Sequence, residues 1–434
     1  MATLLSMQNF DGDFAADQDN SGPEYKPRSL AEIDVRQGIL EDLVLKVLYL
    51  CGSLSILELS EKVHLSFELT DELFSRLRSQ ALCQLTGMSS NIPQIAITAQ
   101  GRSRAAELLQ QSQYAGCAPV TFEKFVEQVR KQSVQKVEVH AADVSRAFNH
   151  LVIDHEILRQ FGTALNSGSA IFLYGPAGGG KTTMAEVLSR VMSADTVWIP
   201  YAVEVDGQII TVYDPSIHKQ AEDPKTSTIH DERWVLCHRP AVLVGGELTV
   251  EMLDMQHNPA SNYYVAPMQM KANNGVLVID DFGRQRIRPE ELLNRWIVPL
   301  DRRIDFLTLA GGKKVEIPFE MLVVFCSNTD PADLVDPAFL RRIQTKIKIG
   351  AITDEEFTEI FRRVARAKRV SFDDGIPGDL IKFIRNALGQ ELRPCHPRDI
   401  VNQVCWAARY ENKKPHVDQV SLKRAIQAYF PMPA

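Results

Sequence analysis

The run Gly175-Pro176-Ala177-Gly178-Gly179-Gly180-Lys181-Thr182-Thr183 restricts this chain more than any other stretch, because it directly follows the apolar segment Ile171-Phe172-Leu173-Tyr174. A glycine-rich loop between an apolar strand and a helix start belongs to an α/β fold. Backbone N–H groups in such a loop turn inward, and a Cβ at Gly178, Gly179 or Gly180 would crowd whatever they surround. A phosphate chain is the ligand that suits this nest. Lys181 is expected to reach the outer phosphates and the Thr182 hydroxyl to bind Mg²⁺, with the dipole of the helix that begins near Lys181 adding to the attraction.

The spacing resembles the Walker A loop of P-loop nucleoside triphosphatases, which implies ATP and Mg²⁺ as cofactors held by residues 175–183. A second part of such a site follows in Val276-Leu277-Val278-Ile279-Asp280-Asp281. It reads as a buried parallel strand that delivers two carboxylates to its C-terminal edge, where α/β folds place their ligands. Asp280 is the expected holder of the Mg²⁺ shell, and Asp281 stands where a water-activating acid belongs. A third apolar strand, Leu322-Val323-Val324-Phe325-Cys326, ends in Ser327-Asn328-Thr329-Asp330-Pro331. Here the chain resembles AAA+ ATPases, and the resemblance implies that Asn328 orients the attacking water. The segment Asp336-Pro337-Ala338-Phe339-Leu340-Arg341-Arg342-Ile343 is similar to the AAA+ arginine-finger segment, with Arg341 and Arg342 both candidates. His396-Pro397-Arg398-Asp399 resembles the sensor-2 position, which implies a contact between Arg398 and the γ-phosphate.

Two departures from that pattern stand out. The acid strand ends in Asp280-Asp281 where AAA+ proteins usually carry Asp-Glu. The second carboxylate is therefore shorter by one carbon–carbon bond, roughly 1.5 Å, and slow hydrolysis is the expected consequence. The other departure is the 99-residue separation of Lys181 from Asp280, longer than a minimal core requires. Part of the excess reads as a hairpin, because strand-forming residues flank Asp206-Gly207, and strand character resumes over residues 242–247. His218, His230, Cys237 and His238 accompany this insert without regular ligand spacing and read as ordinary surface residues.

A further glycine pair, Gly311-Gly312, lies between the alternating stretches 303–308 and 315–317 and reads as another hairpin. It is similar to the pre-sensor-one hairpin of MoxR-type ATPases, magnesium chelatase subunits and sigma-factor activators. Residues 252–264 occupy the place of the sigma-factor activators' substrate loop but lack its Gly-Ala-Phe-Thr-Gly-Ala motif. Met252, Leu253, Met255, Tyr263 and Tyr264 in this loop suit either contact with a protein client or packing in a core.

At 434 residues the chain exceeds one ordinary core, and the pattern divides it. Residues 1–28 read as an acidic disordered tail, 29–115 as a winged-helix-like domain, 116–150 as a helical connector, 151–349 as the α/β nucleotide-binding domain, and 350–434 as a helical lid. The expected fold class is thus α/β, an AAA+ core with a parallel sheet, a helical lid and an N-terminal winged-helix domain. In the N-terminal region Ser55 and Thr70 are the expected helix caps, strands are expected over 83–86 and 94–98, and a helix from about residue 99.

Net charge is −7, which does not suit general adhesion to nucleic acid or an anionic membrane. From Arg28 to Gln111 there are 8 basic and 10 acidic residues, with Asp71 and Glu72 near the expected start of the third helix. Binding to nucleic acid is therefore disfavoured, since phosphate neutralisation supplies much of such affinity. No apolar run reaches the roughly 18 residues that span a bilayer, the first residues lack the basic start of a secretory signal, and the seven cysteines form no C-x-x-C pair. The expected setting is cytoplasmic, with no membrane insertion. The expected function is that of an ATP-hydrolysing motor, assembled as a homo-oligomer such as a hexamer, that remodels an unidentified protein client. A DNA-binding regulatory ATPase and a slow ATP-dependent switch are the alternatives.

Overall fold

The computed structural model describes residues 26–89, 92–221, 230–258, 260–309 and 312–430. The expected tail at 1–28 therefore lies outside the described residues except for its last three. At the centre is a five-stranded parallel sheet in the order Ala241–Val244, Val276–Ile279, Leu322–Ser327, Ile171–Tyr174, Thr345–Lys348. Its inner strands are near-continuous runs of Val, Ile, Leu and Phe because both faces are covered, the condition under which parallel sheets form. One face packs on Phe161, Leu165, Leu188 and Met192, and the other on Trp296, Phe282 and Leu292. The registers pair Ile279 with Phe325 and Ser327 with Tyr174. Asp280, Asn328 and Gly175, each just past those positions, consequently leave the sheet side by side.

Near the N-terminus, helix Gln37–Cys51, strand Leu54–Ser55, helices Ile56–Val63 and Phe67–Ser79, strands Cys83–Ser89 and Ile92–Ile97, and helix Ala99–Gln111 share one core. The three strands form an antiparallel sheet with Ile92–Ile97 in the middle. Ser55 caps its helix through a capping box with Glu58. Thr70 is not a cap. Ser66 takes that place, accepting from Leu69 N at 3.4 Å, and Thr70 is buried a turn inside with its hydroxyl donating to Ser66 O at 2.9 Å. Both residues are cap types, and the early start lets Leu69 join the buried face with Leu73 and Leu77. Asp71 and Glu72 accordingly lie beyond the helix start, and Glu72 pairs with Arg76 at 2.9 Å.

The insert folds as a sheet of its own, in the order Gln256–Asn258, Tyr263–Val265, Gln208–Thr211, Ala202–Val205, Val120–Thr121. Its hairpin turns at Asp206 and Gly207, with φ of 51° and 83°, the left-handed pair expected of a tight Asp-Gly turn. One edge strand comes from the connector and two strands come from the 252–264 loop. The apolar residues of that loop are used in packing: Leu253 and Tyr264 are buried, Met252 and Met255 pack against cores, and the Tyr263 ring lies 5.6 Å from that of Tyr114. The Arg233 guanidinium, wholly buried, donates to Asp231 at 2.7 Å and to Pro119 O at 3.0 Å, which ties the insert to the connector.

Two residues read as surface groups are internal. His218 is buried, its Nδ1 accepting from Asp214 N at 2.9 Å and its Nε2 donating to Lys271 O at 2.8 Å, and Cys237 is buried in the insert core. The second hairpin pairs Ile304–Thr308 with Lys314–Pro318. Its Leu307, Val315 and Ile317 face the core that the insert and connector share.

The C-terminal helices are Asp354–Ala367, Ile376–Lys382 continuing into a π-turn at Phe383–Ala387, Cys395–Tyr410, and Gln419–Tyr429. They enclose Phe357, Phe361, Leu380, Ile400 and Leu422. Among the described residues no helix is long and apolar enough to cross a membrane.

Candidate nucleotide site

The loop after Tyr174 bends through left-handed backbone at Gly175, Gly178 and Gly180, with φ of 141°, 82° and 90°. Lys181 opens helix Lys181–Met192 and folds back over the loop. Its Nζ donates to Gly175 O at 2.9 Å, Pro176 O at 3.0 Å and Asn328 Oδ1 at 2.7 Å. Burial pushes this ammonium below the usual lysine range, while nearby Asp280 and Asp281 act in the opposite direction.

One residue further, the Thr182 hydroxyl donates to Asp280 Oδ2 at 2.8 Å. A hydroxyl and a carboxylate oxygen this close are hard donors of the kind Mg²⁺ takes. The other Asp280 oxygen accepts from Asp281 N at 3.0 Å. Asp281 adopts φ 50° and its carboxylate accepts from Asn328 Nδ2 at 3.0 Å. Both ends of the Asn328 amide are thus engaged, the oxygen by a cation and the nitrogen by an anion, an arrangement that fixes which way the amide points.

The arginines divide. Arg342 donates from Nε to Asp301 Oδ2 at 2.7 Å and is half-buried. Arg341 is exposed and makes no side-chain hydrogen bond or ion pair with a described residue. Arg398 is exposed and turned to Asp399, at 3.0 Å.

A different lid arginine lies on the loop. Arg393 Nη1 donates to Ala177 O at 3.2 Å, and its charge opposes protonation of Lys181. Its buried Nε has no hydrogen-bond partner among the described residues. Sequence reasoning missed Arg393; the available signal was a second arginine five residues before Arg398, at the entrance to the same helix.

Cys395, at the start of that helix, interlocks with the loop. A Cβ on Gly178 would stand 2.5 Å from Cys395 Sγ, and φ there is +82°. Gly178→Ala is therefore expected to push the lid away and strain the loop, at about 1–2 kcal/mol for the left-handed backbone alone. Thermal unfolding together with nucleotide titration checks this; unchanged stability and affinity would show that the contact is loose.

A parallel sheet with a phosphate-type glycine loop, two carboxylates and a polar residue at adjacent strand ends, and a helical lid make an α/β fold with the layout of a nucleotide site. Residues 353–428, the lid helices, match the family described as "Domain of unknown function (DUF8689)". A stretch of 86 residues is 36% identical to the mitochondrial potassium channel ATP-binding subunit of Xenopus tropicalis, and covers 20% of this chain but only 12% of that protein. Among solved structures, the RuvB Holliday junction branch migration motor of Thermotoga maritima is 15% identical over 71% of each chain, with a TM-score of 0.35. NtrX of Brucella abortus, solved in complex with ADP, is 12% identical over 77% of this chain and 67% of that one, with a TM-score of 0.40.

Proposed function

We propose that this chain binds and hydrolyses ATP, and that it works in the cytoplasm as a ring of identical subunits, such as a hexamer, remodelling a protein client. The observation that carries the reading is the convergence of Lys181, Thr182, Asp280, Asp281 and Asn328 through bonds of 2.7–3.0 Å between three strand ends. Gly175, Pro176, Ala177, Gly178, Gly179, Gly180 and Thr183 complete the phosphate cradle around Lys181. Thr182 and Asp280 would hold Mg²⁺, whose charge draws electron density from the phosphate oxygens. Asp281 accepts the proton of the attacking water while Asn328 orients it. The cations of Arg393 and Arg398 link the lid to the phosphates.

The hairpin Ile304–Thr308/Lys314–Pro318 supports a place in the pre-sensor-one hairpin branch. The four α-helices and three strands before residue 112 support a winged-helix adaptor, and its acidic balance favours a protein partner over duplex DNA.

Arg341 has a catalytic use only if it faces a neighbouring subunit's site. Arg341→Ala is expected to lower turnover by about 10³-fold, the lower end of the range for a finger residue. Lys181→Ala protein is also expected to be inactive, yet mixing the two should restore hydrolysis at hybrid interfaces. A chain that stays monomeric with ATP at micromolar concentration in light scattering, with no recovery on mixing, would sink the ring.

A further inference from the structure

The lid carries an exposed apolar face that its own core does not use. Trp406 is 60% exposed and Tyr410 93% exposed, and their i,i+4 spacing puts them on one side of helix Cys395–Tyr410. Val420, 60% exposed, begins the antiparallel helix Gln419–Tyr429. Arg424 Nη1 donates to Glu411 at 3.1 Å and Tyr429 Oη to Asp399 at 3.0 Å, so the Val420 end lies beside the Tyr410 end. The surrounding charge is positive on balance: Arg409, Lys413, Lys414, Lys423 and Arg424 stand against Glu411, Asp418 and Asp379, with Lys413 and Arg424 paired to Glu411 and Asp379 bonded to Gln419.

A segment of this chain outside the described residues has the complementary chemistry. Residues 7–19 read Met-Gln-Asn-Phe-Asp-Gly-Asp-Phe-Ala-Ala-Asp-Gln-Asp, with Phe10 and Phe14 among four aspartates, and the first basic residue of the chain is Lys26. Lys26 is held by Glu232. Counting back from it, Phe14 and Phe10 lie within about 40–55 Å of extended chain. A folded chain of this length is about 55 Å across, taking the radius of gyration as roughly 22 Å. A tether of that length sweeps about half or more of the molecule's surface. The exposed apolar residues nearer to Lys26, such as Leu57 and Phe67, lie in a region with more acids than bases, which disfavours an acidic ligand.

We propose that residues 7–19 dock on the lid face of Trp406, Tyr410 and Val420, with Phe10 and Phe14 covering the aromatic pair and the aspartates facing Arg409 and Lys414. Trp198, Trp234 and Trp296 are buried, so acrylamide quenching of tryptophan fluorescence reports on Trp406. The full chain is expected to be protected and a chain lacking residues 1–24 readily quenched, with Trp406→Phe abolishing the difference. A synthetic peptide of residues 5–22 is expected to restore protection to the shortened chain. Its affinity should fall at least tenfold when its aspartates are changed to asparagine, and likewise with Arg409→Glu/Lys414→Glu, whose melting temperature serves as the folding control. Equal quenching of full and shortened chains, or peptide binding indifferent to these charges, overturns the proposal. So does protection that persists without residues 1–24 and grows with protein concentration, since a second copy of the chain would then be the occupant.

Discussion

Lys181→Ala is expected to abolish useful nucleotide binding, raising the ATP dissociation constant by about 10²–10³-fold, in keeping with the 2–5 kcal/mol lost when one partner of a buried charge pair is truncated. The ammonium sits inside the loop, already bonded to Gly175 O, Pro176 O and Asn328 Oδ1, and has little exposure to water. A phosphate arriving in the loop meets a cation that is desolvated beforehand, and this makes its contribution large. Folding should suffer less, because losing three hydrogen bonds is offset by no longer burying a charge. Calorimetric titration with Mg²⁺ and ATP, paired with a melting curve, separates the two effects. A variant that keeps wild-type affinity would remove Lys181 from the site.

The second large effect is expected at Asp281. Asp281→Asn should bind ATP within a few-fold of the parent chain and turn it over about 10²–10⁴-fold more slowly, the usual contribution of a positioned general base. The amide has nearly the shape of the carboxylate but cannot take a proton from water. Undiminished hydrolysis would end the assignment. Asp281→Glu is expected to hydrolyse at least as fast as the parent, because it extends the carboxylate by roughly 1.5 Å towards the position AAA+ proteins usually use. In the described state Asn328 holds Asp281 with one end and Lys181 with the other. Asp281 and Lys181 are thereby joined through one amide, and Asn328→Ala should loosen both.

What could be read along the chain was local physics. A run such as Val276–Ile279 announces a strand buried on both faces, and its parallel setting follows from that burial. Asp206-Gly207 announces a left-handed turn because few other residues tolerate it. The glycines around Lys181 announce a backbone that must curl, and the acids after Ile279 and the asparagine after Ser327 follow from where those strands stop.

Other features depended on residues far apart in sequence. Ser66 rather than Thr70 caps its helix because Leu69 is drawn into a core built from residues 30 to 118 together with Ala202 and Ile209 of the insert. His218 is internal because Lys271 supplies its carbonyl, 53 residues away, and residues 252–264 became strands because Gln208–Thr211 offered an edge. Arg342 is tied to Asp301, whereas Arg341, identical in type and adjacent in sequence, is left to solvent. Arg393 reaches Ala177 across 216 positions. By itself the sequence determined the curled loop and the buried strands that frame the site, through the backbone freedom of glycine and the burial of short apolar runs. Which arginines and carbonyls meet at that loop was decided only by tertiary structure, because a guanidinium commits to whichever acceptor packing brings within about 3 Å, and no local pattern encodes that distance.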